Sequence, residues 1–183
     1  SLSDGLLKAL DTKPKIEKKI ETTNPKAYEF YLKDKLKYAK REDMEDIVIA
    51  QGLLKKAIKM DNNLLIAKLL LSVSYARNGD YDKSRGIFLE VLKQAEELGD
   101  RGSMGSSLMY IGIMYRIKGD YDNALDYYER SLEIKEEIGD KSEMGLSLNN
   151  IGIVYNYRGD YEKALIFYTR ALNMQEEIGY KRG

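Results

Sequence analysis

The sequence predicts an all-α fold of stacked antiparallel helix pairs, and three observations carry that prediction. Gly-Asp-Tyr recurs with a period of 40 residues, at Gly79–Tyr81, Gly119–Tyr121 and Gly159–Tyr161. A second marker keeps the same step: Glu96-Glu97-Leu98-Gly99-Asp100, Glu136-Glu137-Ile138-Gly139-Asp140 and Glu176-Glu177-Ile178-Gly179-Tyr180. Between the markers, apolar and small residues fall at helical spacing. A fixed repeat in this range means units that each bury their apolar face on a neighbour.

Composition narrows the chemistry. At 183 residues the chain suits one compact domain or a short repeat array. Its only prolines are Pro14 and Pro25, so the strongest helix breaker is absent beyond Pro25. Cysteine and histidine are both lacking, which removes disulfides, thiolate chemistry and the commonest metal ligand and acid–base group. Fifteen tyrosines against three phenylalanines point to aromatic packing with polar tips. The formal net charge is zero, which argues against a chain built to coat nucleic acid or an anionic membrane. Residues 1–41 nevertheless carry 11 Lys/Arg against 6 Asp/Glu, either a solvated basic face or a partner-binding patch. No apolar run reaches membrane-spanning length, and no secretory signal opens the chain.

Taken in order, residues 1–23 form an N-terminal segment, partly helical and partly vector-derived at Ser1 and Leu2. Any targeting signal would then lie upstream. Residues 24–61 form a degenerate unit: Asn24-Pro25 opens a helix with proline in its first turn, and a second helix near Asp46–Met60 carries Ala50, Leu54, Ala57 and Ile58. The stretch Arg41–Asp46 makes a longer turn between them. Residues 62–99 give a looser unit with Ser72, Tyr75, Gly79, Ser84 and Phe88 at the repeating positions.

The unit 100–139 is clearer. Its first helix places Met104, Leu108, Ile111, Gly112 and Tyr115 on one side, and its second places Tyr121, Ala124, Leu125, Tyr128, Leu132 and Ile138. At Gly119-Asp120, glycine suits the left-handed position ending one helix and aspartate caps the next. Gly99-Asp100 and Gly139-Asp140 repeat that logic, and Asp140 with Glu143 has the spacing of a capping box. Residues 140–178 form the last full unit, and residues 179–183 read as the start of a further, truncated one. Gly112 and Gly152, opposite Ala124 and Ala164, let the two helices of a pair approach closely; Ser72 and Ser84 are the matching residues earlier.

These residues resemble the tetratricopeptide repeat family. A small residue, a tyrosine three later, a Gly-Asp-Tyr turn, an alanine and an aromatic stand at Gly112, Tyr115, Gly119, Ala124 and Tyr128, and again at Gly152, Tyr155, Gly159, Ala164 and Tyr168. The family period is about 34 residues, so this chain resembles the longer-helix variety found in kinesin light chain and mitotic scaffolds. The resemblance implies a right-handed superhelical solenoid. The opening stretch, Leu6–Lys33, is similar to the start of repeat regions in bacterial signalling proteins, where such repeats accompany an adenylate or guanylate cyclase or a kinase.

In this family the first helices of successive pairs line a concave groove. Carried over by position, that groove comprises Leu69, Val73, Arg77, Met109, Ile113, Arg116, Asn149, Ile153, Asn156 and Tyr157. It would take an extended or helical peptide, with arginine and asparagine bonding backbone or acids and apolar residues gripping side chains. Equally, Ile113 and Ile153 could be core and the polar members simply solvated. The carboxylate clamp of chaperone-binding relatives is absent: its positions hold Leu69/Val73, Met109/Ile113 and Asn149/Ile153.

The repeated Glu-Glu pairs stand beside basic residues, Glu97 with Arg101, Glu137 with Lys141 and Glu177 with Lys181. They read as surface ion pairs rather than as a site, because a site used once is not copied with each repeat. The acidic run Glu42, Asp43, Glu45 and Asp46 lacks the ligand spacing of a calcium loop. No phosphate loop, catalytic triad or zinc spacing occurs.

The sequence therefore predicts a cytoplasmic protein-interaction scaffold with no catalytic residues, cofactor or metal, binding a protein or peptide and not nucleic acid. The alternative is an intramolecular regulatory or dimerisation module of an attached cyclase or kinase. Ile166 and Phe167 replace Asp126 and Tyr127 in the last helix, which predicts a sticky C-terminal face prone to self-association.

Overall fold

The structure, a computed structural model, describes residues 24–38 and 44–180. The N-terminal segment, much of the first turn and Lys181 lie outside the described residues. Eight helices and no strand occur among those described: α1 (Pro25–Tyr38), α2 (Met44–Met60), α3 (Leu65–Arg77), α4 (Tyr81–Leu98), α5 (Arg101–Ile117), α6 (Tyr121–Glu137), α7 (Lys141–Tyr157) and α8 (Tyr161–Tyr180). The fold is all-α, and the chain divides into two compact units, Ser1–Gln94 and Ala95–Gly183.

In the first unit, Asn24 caps α1, its Oδ1 accepting from the backbone N–H of Lys26 at 3.1 Å and of Ala27 at 3.3 Å. Pro25 follows at the one position where its missing N–H costs nothing. The Asn24 amide also donates to the carbonyl of Met60 at 3.1 Å, tying the start of α1 to the end of α2. Ala27, Tyr31, Ala50, Leu54 and Ala57 are buried where α1 and α2 meet. Between α2 and α3, the Gln51 amide donates to Ser74 Oγ at 3.3 Å. The buried hydroxyl of Ser72 donates to the Lys68 carbonyl one turn back, at 2.8 Å. The Gly79 corner has φ 81°, the left-handed region that glycine enters without steric penalty.

The second unit repeats the corner chemistry at Gly99, Gly119, Gly139 and Gly159, all with positive φ. The following aspartates cap the next helix: Asp100 accepts from Ser103 N at 3.1 Å, Asp120 from Asn123 N at 3.3 Å, Asp140 from Glu143 N at 3.2 Å and Asp160 from Lys163 N at 3.1 Å. Within the pairs α5/α6 and α7/α8 the small residues sit at the points of closest approach. A Cβ on Gly112 would stand 2.7 Å from Tyr128 Cε1 and 3.2 Å from the Ala124 carbonyl oxygen, and one on Gly152 would meet Tyr168 in the same way. Beside these contacts Tyr115 stacks on Tyr127 at 5.3 Å and Tyr155 on Phe167 at 5.5 Å.

Two local expectations change. The capping box at Asp140 closes on one side only. The Asp140 N–H donates to the Lys135 carbonyl at 3.0 Å, and the Glu143 carboxylate faces Lys135 Nζ at 3.7 Å. The ion pairs run across each hairpin rather than along the chain: Arg101 meets Glu137, and Lys141 meets Glu177. Antiparallel helices place the start of the first beside the end of the second. These exposed pairs add little stability. At the end of the second unit α8 runs to Tyr180, and most of the expected further unit at 179–183 lies outside the described residues.

Candidate functional site

The residues expected to line a groove fall in both units. In the first, Leu69 and Val73 are buried on α3, and Arg77 at its last turn is half-buried. In the second, Met109, Ile113 and Arg116 recur at the spacing of one face of α5, and all three are buried. One period later the same face of α7 carries Asn149, Ile153, Asn156 and, beside it, Tyr157; of these Ile153 is half-buried and the rest are exposed. The apolar members Leu69, Val73, Met109 and Ile113 are thus buried and offer almost no surface to a partner. Helical spacing could not separate core from groove here, since both need apolar residues on the same side of a first helix. The accessible part of the expected site is the α7 face.

Arg116 stands out chemically. It is 7% exposed, and its Nε donates to the phenol oxygen of Tyr128 at 3.4 Å. Tyr128 is fully buried, and burial pushes its pKa to about 12, with the neighbouring guanidinium opposing the shift. Tyr168 is also held above its usual range by burial, again with Arg116 in opposition. Among the described residues no carboxylate forms an ion pair with Arg116, so this positive charge is surrounded by phenols.

Sequence reasoning missed two buried lysines. Lys68 Nζ donates to Glu90 Oε1 at 2.6 Å and to Gln94 Oε1 at 2.7 Å. Lys135 Nζ donates to the Gly102 carbonyl and to Ser106 Oγ, each at 3.1 Å. A signal existed in the sequence, because both break the repeat. The counterparts of Lys68 are Leu108 and Leu148, and those of Lys135 are Ala95 and Gln175. Gly105 makes room for Lys135, since a Cβ there would stand 2.6 Å from Lys135 Cε. Nearby, Ser131 Oγ donates to the Gly105 carbonyl at 2.7 Å and lies 3.3 Å from Ser147 Oγ. This polar seam joins α5, α6 and α7 in one register.

Glu143, at the edge of that seam, has its carboxyl raised above 4.5 by burial and by Asp140, with Lys135 pulling the other way. A folded carboxyl that holds its proton more tightly than the unfolded one stabilises the fold at low pH, and that stability is lost as pH rises through the raised pKa. Urea melts of Glu143→Gln across about pH 4 to 7 should therefore show a flatter loss of stability with rising pH than the parent. A parallel pair of profiles would contradict the assignment.

Antiparallel helix pairs, glycine–aspartate corners and small-on-aromatic contacts repeated at one period define a tandem helical-repeat protein. The tetratricopeptide repeat family matches residues 63–137 and again 103–177, and the chain belongs to that family. No curated protein matches the sequence at a significant level. Among solved structures it is similar to aspartyl phosphate phosphatase F from Bacillus subtilis, at 18% identity over 84% of this chain and 41% of that one, with TM-score 0.74. It is similar also to the apo form of RapI, at 19% identity over 89% and 60% of the two chains, TM-score 0.75. The TPR domain of Arabidopsis FLU matches at 26% identity over 62% and 95%, TM-score 0.57. The chain spans less than two thirds of the first two proteins' length. No described helix is long and apolar enough to cross a membrane.

Proposed function

We propose that the chain is a protein–protein interaction module, without catalytic activity of its own, that binds a segment of a partner protein along the exposed face of α7. The family and the fold support a scaffold in general terms. The observation that carries the finer reading is the α7 face itself: of the positions expected to line the groove in the second unit, Asn149, Asn156 and Tyr157 stand exposed there while those of α5, Arg116 included, are buried. Asn149 and Asn156, both exposed on α7, supply amides for a partner's backbone, and Tyr157 supplies an exposed ring.

The test is selection from a random peptide library against the whole chain. Recovered peptides should bind at least about tenfold more weakly to Asn149→Ala/Asn156→Ala, a loss of about 1.4 kcal/mol or more, and as tightly to Glu129→Ala. Peptides indifferent to the α7 substitutions would discard this surface. A further part of the proposal, resting on the resemblance of Leu6–Lys33, is that the module belongs to a cytoplasmic bacterial signalling polypeptide. A reading frame with no cyclase or kinase beside this segment would remove that part and leave the binding surface standing.

A further inference from the structure

Along α2, Val48, Gly52, Lys55 and Lys59 are all exposed, and they fall at the i, i+4, i+7, i+11 spacing of one helix face. The buried residues show what the repeat places on that side. Ala50, Leu54 and Ala57 are wholly buried, as are Ala124, Tyr128 and Ser131 at the same spacing on α6. In that alignment the stripe on α6 is Asp122, Asp126, Glu129 and Glu133, exposed as well. Since α6 lies in mid-chain, the exposure belongs to the outer side of a second helix rather than to an end of the chain.

On α2 all four carboxylates of the stripe are replaced. Val48 is 63% exposed, and Ile49 beside it, where α6 has Asn123, is 39% exposed. On α6 Asp126 pairs with Arg130 at 3.5 Å; the matching residues on α2 are Gly52 and Lys56, so that partner is missing. Among the described residues no carboxylate pairs with Lys55, Lys56 or Lys59. Two of these ammonium groups are held by aromatic rings instead, Lys55 Nζ at 5.5 Å from the centre of Tyr75 and Lys56 Nζ at 5.9 Å from that of Phe30. Gly52 costs the helix stability relative to alanine, yet a Cβ there would meet nothing within 4 Å, so no contact inside the fold requires it.

We infer that this face docks an acidic amphipathic helix of a partner protein. The partner's apolar residues cover Val48 and Ile49, and its carboxylates meet Lys55, Lys56 and Lys59. Where the two halves join, the missing side chain at Gly52 lets the backbones approach closely. Charge complementarity selects the carboxylates. The glycine selects a helix over a bilayer, because lipid gains nothing from a gap one side chain wide. A second copy of the chain does not match, since its acidic helix α6 exposes no large apolar side chain to lie on Val48 and Ile49. The face is on a different helix from Asn149 and Asn156, so either surface can fail alone.

The experiment selects from a phage-displayed library of single helices randomised along one face, against the full chain carrying Asn149→Ala/Asn156→Ala. Recovered helices should hold Asp or Glu in one half and Leu, Ile or Phe in the other. The best of them, fluorescein-labelled and followed by anisotropy, should bind at least about tenfold more weakly to Val48→Asp and to Lys55→Glu/Lys59→Glu. The fold tolerates the first change, aspartate being what α6 carries at that place. Gly52→Ala should raise the urea midpoint and yet weaken binding several-fold, with Gly52→Leu weakening it further, a combination that a folding defect cannot produce. Exchanging the peptide's carboxylates for lysines should abolish binding to the parent and restore it on Lys55→Glu/Lys59→Glu. Recovery of no acidic–apolar helix, binding indifferent to Val48→Asp or to Gly52→Leu, or failure of the charge exchange would each overturn the inference. So would binding to phosphatidylcholine vesicles containing phosphatidylserine that Val48→Asp abolishes, since the occupant would then be a bilayer. A dimer that Val48→Asp dissociates would overturn it too, the occupant then being a second copy.

Discussion

Replacing Gly112 with alanine is expected to destabilise the chain by about 1–3 kcal/mol, although alanine is the better helix former. The added Cβ would stand 2.7 Å from Tyr128 Cε1, 2.8 Å from Cδ1 and 3.2 Å from the Ala124 carbonyl oxygen. The ring cannot retreat, because Tyr128 is wholly buried, and the carbonyl is fixed in α6. The helices must therefore separate. Gly52 is the control: it lies inside α2, and a Cβ added there would meet nothing within 4 Å. Alanine at that position should stabilise by about 0.5–1 kcal/mol through backbone entropy alone. The two substitutions should move the urea midpoint in opposite directions. If both raise it, the close approach at Gly112 is not a tight contact and the account of the hairpin fails.

Tyr128→Ala should cost more, about 3–5 kcal/mol, as expected for emptying a fully buried aromatic site. The ring fills the space that Gly112 leaves open, so its removal leaves a void where the α5/α6 pair is tightest. It also takes away the phenol oxygen that Arg116 Nε uses. Tyr128→Phe separates the two effects, keeping the packing and removing the acceptor, with an expected loss of about 1–2 kcal/mol. A midpoint for Tyr128→Phe as low as that of Tyr128→Ala would show that the hydrogen bond, and not the ring, holds this site. Combining Gly112→Ala with Tyr128→Ala should cost less than the sum of the two, because the second removes the ring that the first would strike.

The corners were legible because each is a local matter. A glycine in the left-handed region followed by an aspartate that caps the next helix needs no tertiary contact to be recognised, and Gly99, Gly119, Gly139 and Gly159 all take that conformation. The close approach at Gly112 was legible too, since a small residue at a fixed distance from Ala124 and Tyr128 recurs with the period. The site was less so. Met109 and Asn149 hold the same position in successive repeats, yet one is buried and the other exposed. Nothing in the residue pattern of a first helix says which neighbour covers it.

The sequence by itself thus determined where the helices start and stop and which small residues meet which rings, because capping, backbone sterics and helical period act over a few residues. Only the tertiary structure decided which partners the charges take. Arg101 reaches across the hairpin to Glu137 rather than back to Glu97, Glu143 turns from its capping role to Lys135, and Arg116 settles among tyrosines. Those choices depend on distances between helices far apart in the chain, and on how much water each pair retains, which no spacing along a stretch of sequence records.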